Sequence, residues 1–311
     1  MRQQPTAVFT QLIVVCLLCL LLIGCSQQEQ PTPESQPEPN PRTLKIGLIP
    51  EQDVFTQKKR YEPLLAQLAK ELDVSIEVSI LPRYGNIIDS FNELGLDGAF
   101  FGSFTGAMAI KKLGVEPLAR PQYVGGASTY YGIVFVKKGS GIRTAEDLRG
   151  KQMAFVDRAT TAGYLLPLAY FQSLGIDDYK TWFKEYYFSG THEDAINDVL
   201  NGFADIGAAK NTVFYRLATV NSRISKELEI LATSPHVPAN GLAVRHDLDN
   251  DLKQGLKQKL LEMDQHAEGR QILAGLKIEK FIETTKEDYQ PVLDYAASIG
   301  LDLKTYNYLN N

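Results

Sequence analysis

From residue 44 onward, short runs of alternating or continuous apolar residues trade places with stretches of helical spacing. Residues 44–50, LKIGLIP, alternate and end in proline, which predicts a strand. Residues 61–72 place Leu64, Leu65, Leu68 and Leu72 at helical intervals, and 74–81 alternate again. A helix over 87–94, a short buried strand over 98–102 and a helix over 104–113 follow. A second set has the same form: strand 130–137, a short capped helix at 144–148, strand 152–156, helix 164–174, strand 182–188, helix 193–201 and strand 205–209. Strands alternating with helices predict parallel α/β sheets. After Leu242 one more strand precedes mostly helical sequence, with 289–299 as the last helix. No sequence repeat relates the two sets, so their likeness is architectural.

The N-terminal segment follows a different rule. Residues 12–23 are a continuous apolar run preceded by Arg2 as the single positive charge. This length suits a signal-peptide core and falls short of the roughly 18 or more residues of a spanning helix. Leu22, Ile23, Gly24 and Cys25 resemble a bacterial lipobox, which implies removal of residues 1–24 and lipidation of Cys25. The alternative is an uncleaved anchor. Residues 26–43 contain five prolines and no large apolar side chain, so 25–43 reads as a lipidated cysteine followed by a disordered tether. A lipid-anchored location in the cell envelope, on the periplasmic or extracellular side, is therefore expected.

Composition narrows the chemistry. Lys+Arg 32 against Asp+Glu 37 gives a net charge of −5 in 311 residues, which disfavours nucleic acid as a partner. Cys16, Cys19 and Cys25 are the three cysteines of the sequence, so the body carries no thiol for a disulfide, thiolate catalysis or Cys-ligated metal. His236, His246 and His266 stand far apart without metal-ligand spacing, and no cofactor or metal is expected.

Three loops follow strands and open helices, where open α/β sheets place ligands. The first, 157–163, offers Thr160, Thr161, Ala162 and Gly163 before a helix, a supply of hydroxyls and free N–H groups for a tetrahedral oxyanion. An ordinary capped turn has the same composition. In the second, 188–194, Thr191 caps a helix with Asp194 three residues on, and His192 falls in the first turn. In the third, Gly102 and Ser103 follow the buried strand that ends at Phe101. Gln52 and Phe55, after the first strand, and Tyr131, in the strand at 130–137, are further candidates to line a cleft. Trp182 and 186–188 read as core.

GLIP at 47–50, RYEPL at 60–64, DGAFFGS at 97–103, SGI at 140–142 with LRGK at 148–151, 154–167, GTHEDA at 190–195 and GFADIG at 202–207 follow one pattern in order. Over roughly 44–300 the chain resembles the phosphonate/phosphite/phosphate-type periplasmic binding proteins of ABC importers. The resemblance implies a two-lobed type II periplasmic-binding-protein α/β fold with a two-stranded hinge, crossing near 128–132 and returning near 233–241. It puts 44–128 with 241–311 in one lobe and 129–240 in the other. In that family a Ser-Thr-Ser-Gly turn, a histidine turn and an aromatic after the third strand surround the oxyanion. These positions read Thr160, Thr161, Ala162 and Gly163, then His192, then Phe101, so Ala162 lacks a hydroxyl and Phe101 lacks a phenol. Aminoalkyl-phosphonate binders carry acids on the segments that here contain Asn211 and Asn240; neither segment has one, and Lys210 would repel an amine.

The resemblance thus implies a monomeric receptor for a small oxyanion without an ammonium group, such as phosphite, phosphate or an alkylphosphonate, that delivers it to a membrane permease. A ligand sensor for a membrane signalling partner is an alternative. An enzyme on the same lobes has least support, because no nucleophile stands with a base in the sequence.

Overall fold

In the computed structural model, residues 42–303 and 305–309 are described; the signal-like segment 1–24, Cys25 and most of the tether lie outside them. The chain runs β1 (Thr43–Leu48), α1 (Val54–Leu72), β2 (Ser75–Ile80), α2 (Asn86–Glu93), β3 (Gly98–Phe101), α3 (Ser103–Leu113) and β4 (Glu116–Tyr123). It then crosses through β5 (Thr129–Tyr130) to β6 (Gly132–Lys137), α4 (Ala145–Leu148), β7 (Gln152–Phe155), a π-helical turn (Thr161–Leu165) leading into α5 (Leu166–Ser173), α6 (Tyr179–Trp182) and β8 (Glu185–Phe188). α7 (His192–Asn201), β9 (Ile206–Lys210), α8 (Asn211–Val220), α9 (Ser222–Glu227) and β10 (Leu228–Thr233) complete this lobe. The return passes through β11 (Val237–Pro238) to β12 (Gly241–Val244), α10 (Asn250–Leu261), α11 (Ala267–Leu276), β13 (Ile278–Glu283) and α12 (Gln290–Ser298). The first strand opens at Thr43, which the sequence assigned to the tether.

One sheet has the order β13-β4-β12-β3-β1-β2, the other β10-β6-β9-β7-β8, and β5 pairs with β11 between them. The sheets are mixed, where strand–helix alternation predicts parallel ones. β1 is parallel to β2 and β3, and β7 to β8 and β9, whereas β12 runs against β3 and β4, and β6 against β9 and β10. The crossings explain the reversal. β3 and β9 end at the hinge, while β12 and β6 begin there, so Phe101 lies opposite Gly241 and Lys210 opposite Gly132. Ends of strands from both lobes are thereby gathered along one line.

Several elements were not legible as strands or helices. β4 carries Pro117 and Pro121, residues that argue against an interior strand, yet it lies between β13 and β12 with register shifts beside them. β10, β13 and α8 carry no strong local signal, and β10 and β13 are edge strands paired on one side. Trp182 closes α6 rather than opening a strand, and its indole N–H donates to the Ala145 carbonyl at 3.2 Å.

Period-two alternation divides β3 between two cores. Phe100 packs with Leu64, Leu68 and Leu242, and Phe101 with Phe91, Phe104 and Met108. The latter cluster continues into the second lobe through Val156, Ala159, Ala162, Leu165 and Ala195. Near the C-terminus, the Tyr306 ring lies tilted at 5.6 Å from Phe104 and its hydroxyl donates to the Arg158 carbonyl at 2.8 Å, joining the lobes a second time.

Gly163 shows how tightly the π turn is seated. A Cβ there would lie 2.3 Å from the Val156 Cβ and 2.7 Å from the Thr160 hydroxyl. Gly163→Ala is expected to lower unfolding stability by about 1–3 kcal/mol through overpacking, measured by urea denaturation.

Candidate functional site

Three helix starts point at one small cavity between the lobes. Gly102 precedes α3, Thr160 precedes the π turn, and Thr191 caps α7 by accepting the Asp194 N–H at 3.0 Å. First-turn N–H groups lack intrahelical acceptors, and each helix presents the positive end of its dipole there. The cavity is lined by Ile49, Glu51 and Tyr84 from the first lobe, Tyr130 and Asn240 at the hinge, and Thr160, Thr161, His192 and Lys210 from the second, among others. Its volume, about 10 Å³, admits roughly one water-sized sphere. A tetrahedral oxyanion needs the lobes or these side chains to move apart.

The lobes meet through specific bonds. The Phe104 N–H of α3 donates to Thr161 Oγ1 at 2.9 Å, and the Thr161 side chain also hydrogen-bonds the Tyr130 phenol. Ser103 Oγ lies 2.6 Å from the Pro238 carbonyl and 2.9 Å from Tyr130 Oη. Lys210 Nζ crosses from β9 to Glu51 Oε1 at 2.8 Å and Asn240 Oδ1 at 2.9 Å, and Asn240 Nδ2 donates to the same Glu51 oxygen at 2.9 Å. All three side chains are buried.

This pair sets the protonation of its surroundings. Burial pushes the Glu51 carboxyl up, but the ammonium and hydrogen bond of Lys210 outweigh it and hold the group at about 2, with His192 and Arg60 adding to the effect. Burial drives His192 down to about 3, against the attraction of Glu51 and helped by Lys210 and Arg216. Neutral His192 accepts the Lys210 backbone N–H on Nδ1 at 3.3 Å, which leaves the proton on Nε2 as a donor. Burial first, then Glu51 and Asp157, raises Tyr84, so its phenol stays protonated; its Oη is buried with no hydrogen-bond partner among the described residues.

Beyond the Glu51, Lys210 and Asn240 side chains lies a larger chamber of about 370 Å³. Its walls include Tyr61, Phe100, Val213 and Phe281, with the guanidinium groups of Arg60 and Arg216. Arg216 Nη2 is buried without a hydrogen-bond partner among the described residues.

The residues singled out in sequence fall into three groups. Thr160, Thr161, His192 and Asn240 line the small cavity, although the Thr160 hydroxyl donates to the Asp157 carbonyl at 2.6 Å and is spent there. Asn211 lines the chamber instead and accepts the Tyr131 N–H at 3.1 Å. The remaining positions stand behind the wall. Phe101 is fully buried and stacks on Phe91 at 6.2 Å, so the missing phenol at that position removes no donor from the cavity. Ala162 and Gly163 are packed inward, and Ser103 is turned to the hinge. Tyr131 points away, its ring 5.2 Å from His236; the neighbouring Tyr130 faces the cavity, as alternation along a strand requires. Gln52 is buried with both amide atoms unpartnered among the described residues and is absent from the wall of either cavity, while Phe55 is exposed.

Sequence reasoning missed Glu51, Tyr84 and Tyr130, and saw Lys210 only as a source of repulsion. The segments that hold Asn211 and Asn240 carry no acid, but Glu51 brings one to the cavity from the loop after β1. Its position just past Pro50, at the carboxyl end of the first strand, was the available signal.

The chain was compared with known proteins. Residues 46–289 match the family model described as ABC transporter, phosphonate, periplasmic substrate-binding protein. A probable ABC transporter phosphite binding protein, PhnD1 of Prochlorococcus marinus, is 24% identical over 264 residues, covering 81% of this chain and 88% of the relative. The crystal structure of PhnD1 from that organism in complex with methylphosphonate superposes with a TM-score of 0.74 at 23% identity, covering 84% of this chain and 99% of PhnD1. A binding protein component of an ABC phosphonate transporter from Pseudomonas aeruginosa gives a TM-score of 0.78 at 22% identity, covering 83% and 87%. These likenesses establish the two-lobed periplasmic-binding-protein fold. Among the described residues no helix is long and apolar enough to cross a membrane.

The two depressed values give a pH dependence of one sign. Between about 3 and the ordinary 6.5 of histidine the unfolded chain binds a proton that folded His192 refuses, and between about 2 and 4.5 the same holds for Glu51. Stability is therefore present at neutral pH and is lost as pH falls through these windows. His192→Asn is expected to flatten the upper part, from 6.5 to 4.5, and to make the slope from 4.5 to about 3 shallower while the Glu51 contribution remains, checked by urea unfolding across the pH series.

Proposed function

The chain belongs to the family of periplasmic substrate-binding proteins of phosphonate ABC transporters, and on that premise we propose that it captures a small, amine-free phosphorus oxyanion outside the cytoplasm for delivery to a membrane permease. Phosphite, phosphate and short alkylphosphonates are the ligand class. The observation that carries this reading is the convergence of three helix starts, from both lobes, on one buried cavity. Supporting it, a relative is named for phosphite and a solved neighbour holds methylphosphonate.

In this reading the lobes part, the anion enters, and closure replaces its water with fixed donors. The Thr161 hydroxyl, His192 Nε2–H, the Tyr84 phenol and first-turn N–H groups supply neutral hydrogen bonds. Lys210 adds attraction while remaining paired with Glu51. Differential affinity for the closed form is what drives closure. A receptor rather than a catalytic role also suits His192, whose Nδ1 is held by a backbone N–H, where a general base is commonly oriented by a carboxylate. Anchoring through lipid on Cys25 completes the proposal.

Titration calorimetry with phosphite, phosphate and methylphosphonate, with sulfate as control, tests the reading; affinity for none of the phosphorus anions would overturn it. Thr161→Ala is expected to weaken the bound anion by about 1.5–3 kcal/mol, the worth of a hydrogen bond to a charged group, with unchanged affinity removing Thr161 from the contact. Cys25→Ser is expected to move the protein from the membrane to the soluble fraction, read by fractionation.

A further inference from the structure

Lys210 is the last residue of β9, yet its side chain leaves its own lobe. Its Nζ lies 2.8 Å from Glu51 Oε1, 2.9 Å from Asn240 Oδ1 and 4.4 Å from the centroid of the Tyr130 ring. A carboxylate, an amide oxygen and an aromatic face around one –NH3⁺ are the partners that recognise a primary ammonium. None of the three is on β9 or α8; they come from the loop after β1 and from the two hinge segments. Asn240 Nδ2 also donates to Glu51, so two walls of the cage are joined to each other independently of the lysine. We propose that Glu51, Asn240 and Tyr130 form a primary-ammonium site that the chain fills with its own Lys210, and that Lys210 thereby limits both the charge and the length of the ligands the cleft admits.

The position of the cage gives the limit on length. Glu51, Lys210 and Asn240 line the small cavity on one side and the chamber of about 370 Å³ on the other. A substituent growing out of the small cavity meets a carboxylate already neutralised by an ammonium. An ω-aminoalkyl oxyanion entering beside Lys210 brings two ammonium groups to one carboxylate. With the lysine side chain removed, the carboxylate, the amide and the ring remain for the ligand's amine, and the chamber takes the chain that carries it. The ligand half of this inference rests on the proposed phosphorus-oxyanion function; the ammonium half does not.

The test separates the two halves. Lys210→Ala is melted in methylammonium chloride and in an equal concentration of sodium chloride, without any phosphorus compound. The expected result is a rise in Tm with methylammonium that the wild-type protein does not show, because the small amine takes the place of the lysine head. Equal melting in the two salts overturns the cage. If the variant folds only with methylammonium present, that dependence supports the cage; failure to fold in both salts overturns it as a site for a free amine.

Calorimetry then compares methylphosphonate with 2-aminoethylphosphonate. Wild-type protein is expected to favour methylphosphonate, and Lys210→Ala to reverse the order, each by about tenfold or more. An unchanged order in a folded variant overturns the gatekeeping role. Lys210→Gln, which keeps a neutral donor toward Glu51 but removes the ammonium, serves if the alanine variant does not fold. A gain of 2-aminoethylphosphonate relative to methylphosphonate in it supports the role of Lys210, and an order and ratio unchanged from wild type overturn it. If no protein binds either phosphonate, the proposed function and the gatekeeping role fall together, while the methylammonium melt still decides the cage.

Discussion

The closed arrangement of this protein depends on one buried ion pair. Glu51 from the first lobe and Lys210 from the second meet at 2.8 Å where neither side chain has appreciable contact with water. Removing two charges from water costs several kcal/mol per ion, and their attraction offsets this only with good geometry and completed hydrogen bonds. Asn240 completes them in both directions, and the Tyr130 ring covers the remaining face of the ammonium. Within the pair Lys210 keeps Glu51 ionised, while burial keeps the neighbouring His192 neutral against the attraction of Glu51.

The pair can form because of how the two sheets are threaded. Strands that end at the hinge and strands that begin there run side by side, so the cleft is edged by Gly102 and Lys210 at strand ends and by Asn240 just before a strand start. Short, stiff elements hold these positions. Loops then have little work beyond presenting Glu51, Tyr84 and the three helix starts. The shared core of Phe101, Phe104, Ala162 and Leu165, with Tyr306 across it, holds the lobes at a separation that fits the ion pair.

An anion entering this site would find its one lysine ammonium already engaged. In the proposed function selectivity then falls to neutral donors with fixed directions: a threonine hydroxyl, an imidazole N–H, a phenol and backbone amides. Such donors in a desolvated pocket bind a compact oxyanion through geometry, and discriminate by leaving a polar group unpaired when the shape is wrong. The relatives share the fold at 22–24% identity.

The alternation of strands and helices and the three loops that open helices were legible in sequence because they rest on local periodicity and on turn and cap residues, whereas the two lobes and the hinge crossings were implied by the family resemblance. Thr161 and His192 were found by that route, since a hydroxyl and an imidazole at helix starts have a local signature. Local patterns do not encode strand direction, and the proline-bearing β4 and the antiparallel β12 followed from where the chain re-enters each lobe. They also do not say which face of a strand looks into a cleft: Tyr131 was chosen where Tyr130 lines it, and Phe101 stands behind the wall. Glu51 and Lys210 are 159 residues apart, and a charge pair of that separation leaves no mark on either neighbourhood. The sequence by itself determined the α/β class and a hydroxyl-bearing turn before a helix; tertiary structure alone decided which charges meet, because only the folded cleft brings them within hydrogen-bonding distance and removes the water that would screen them.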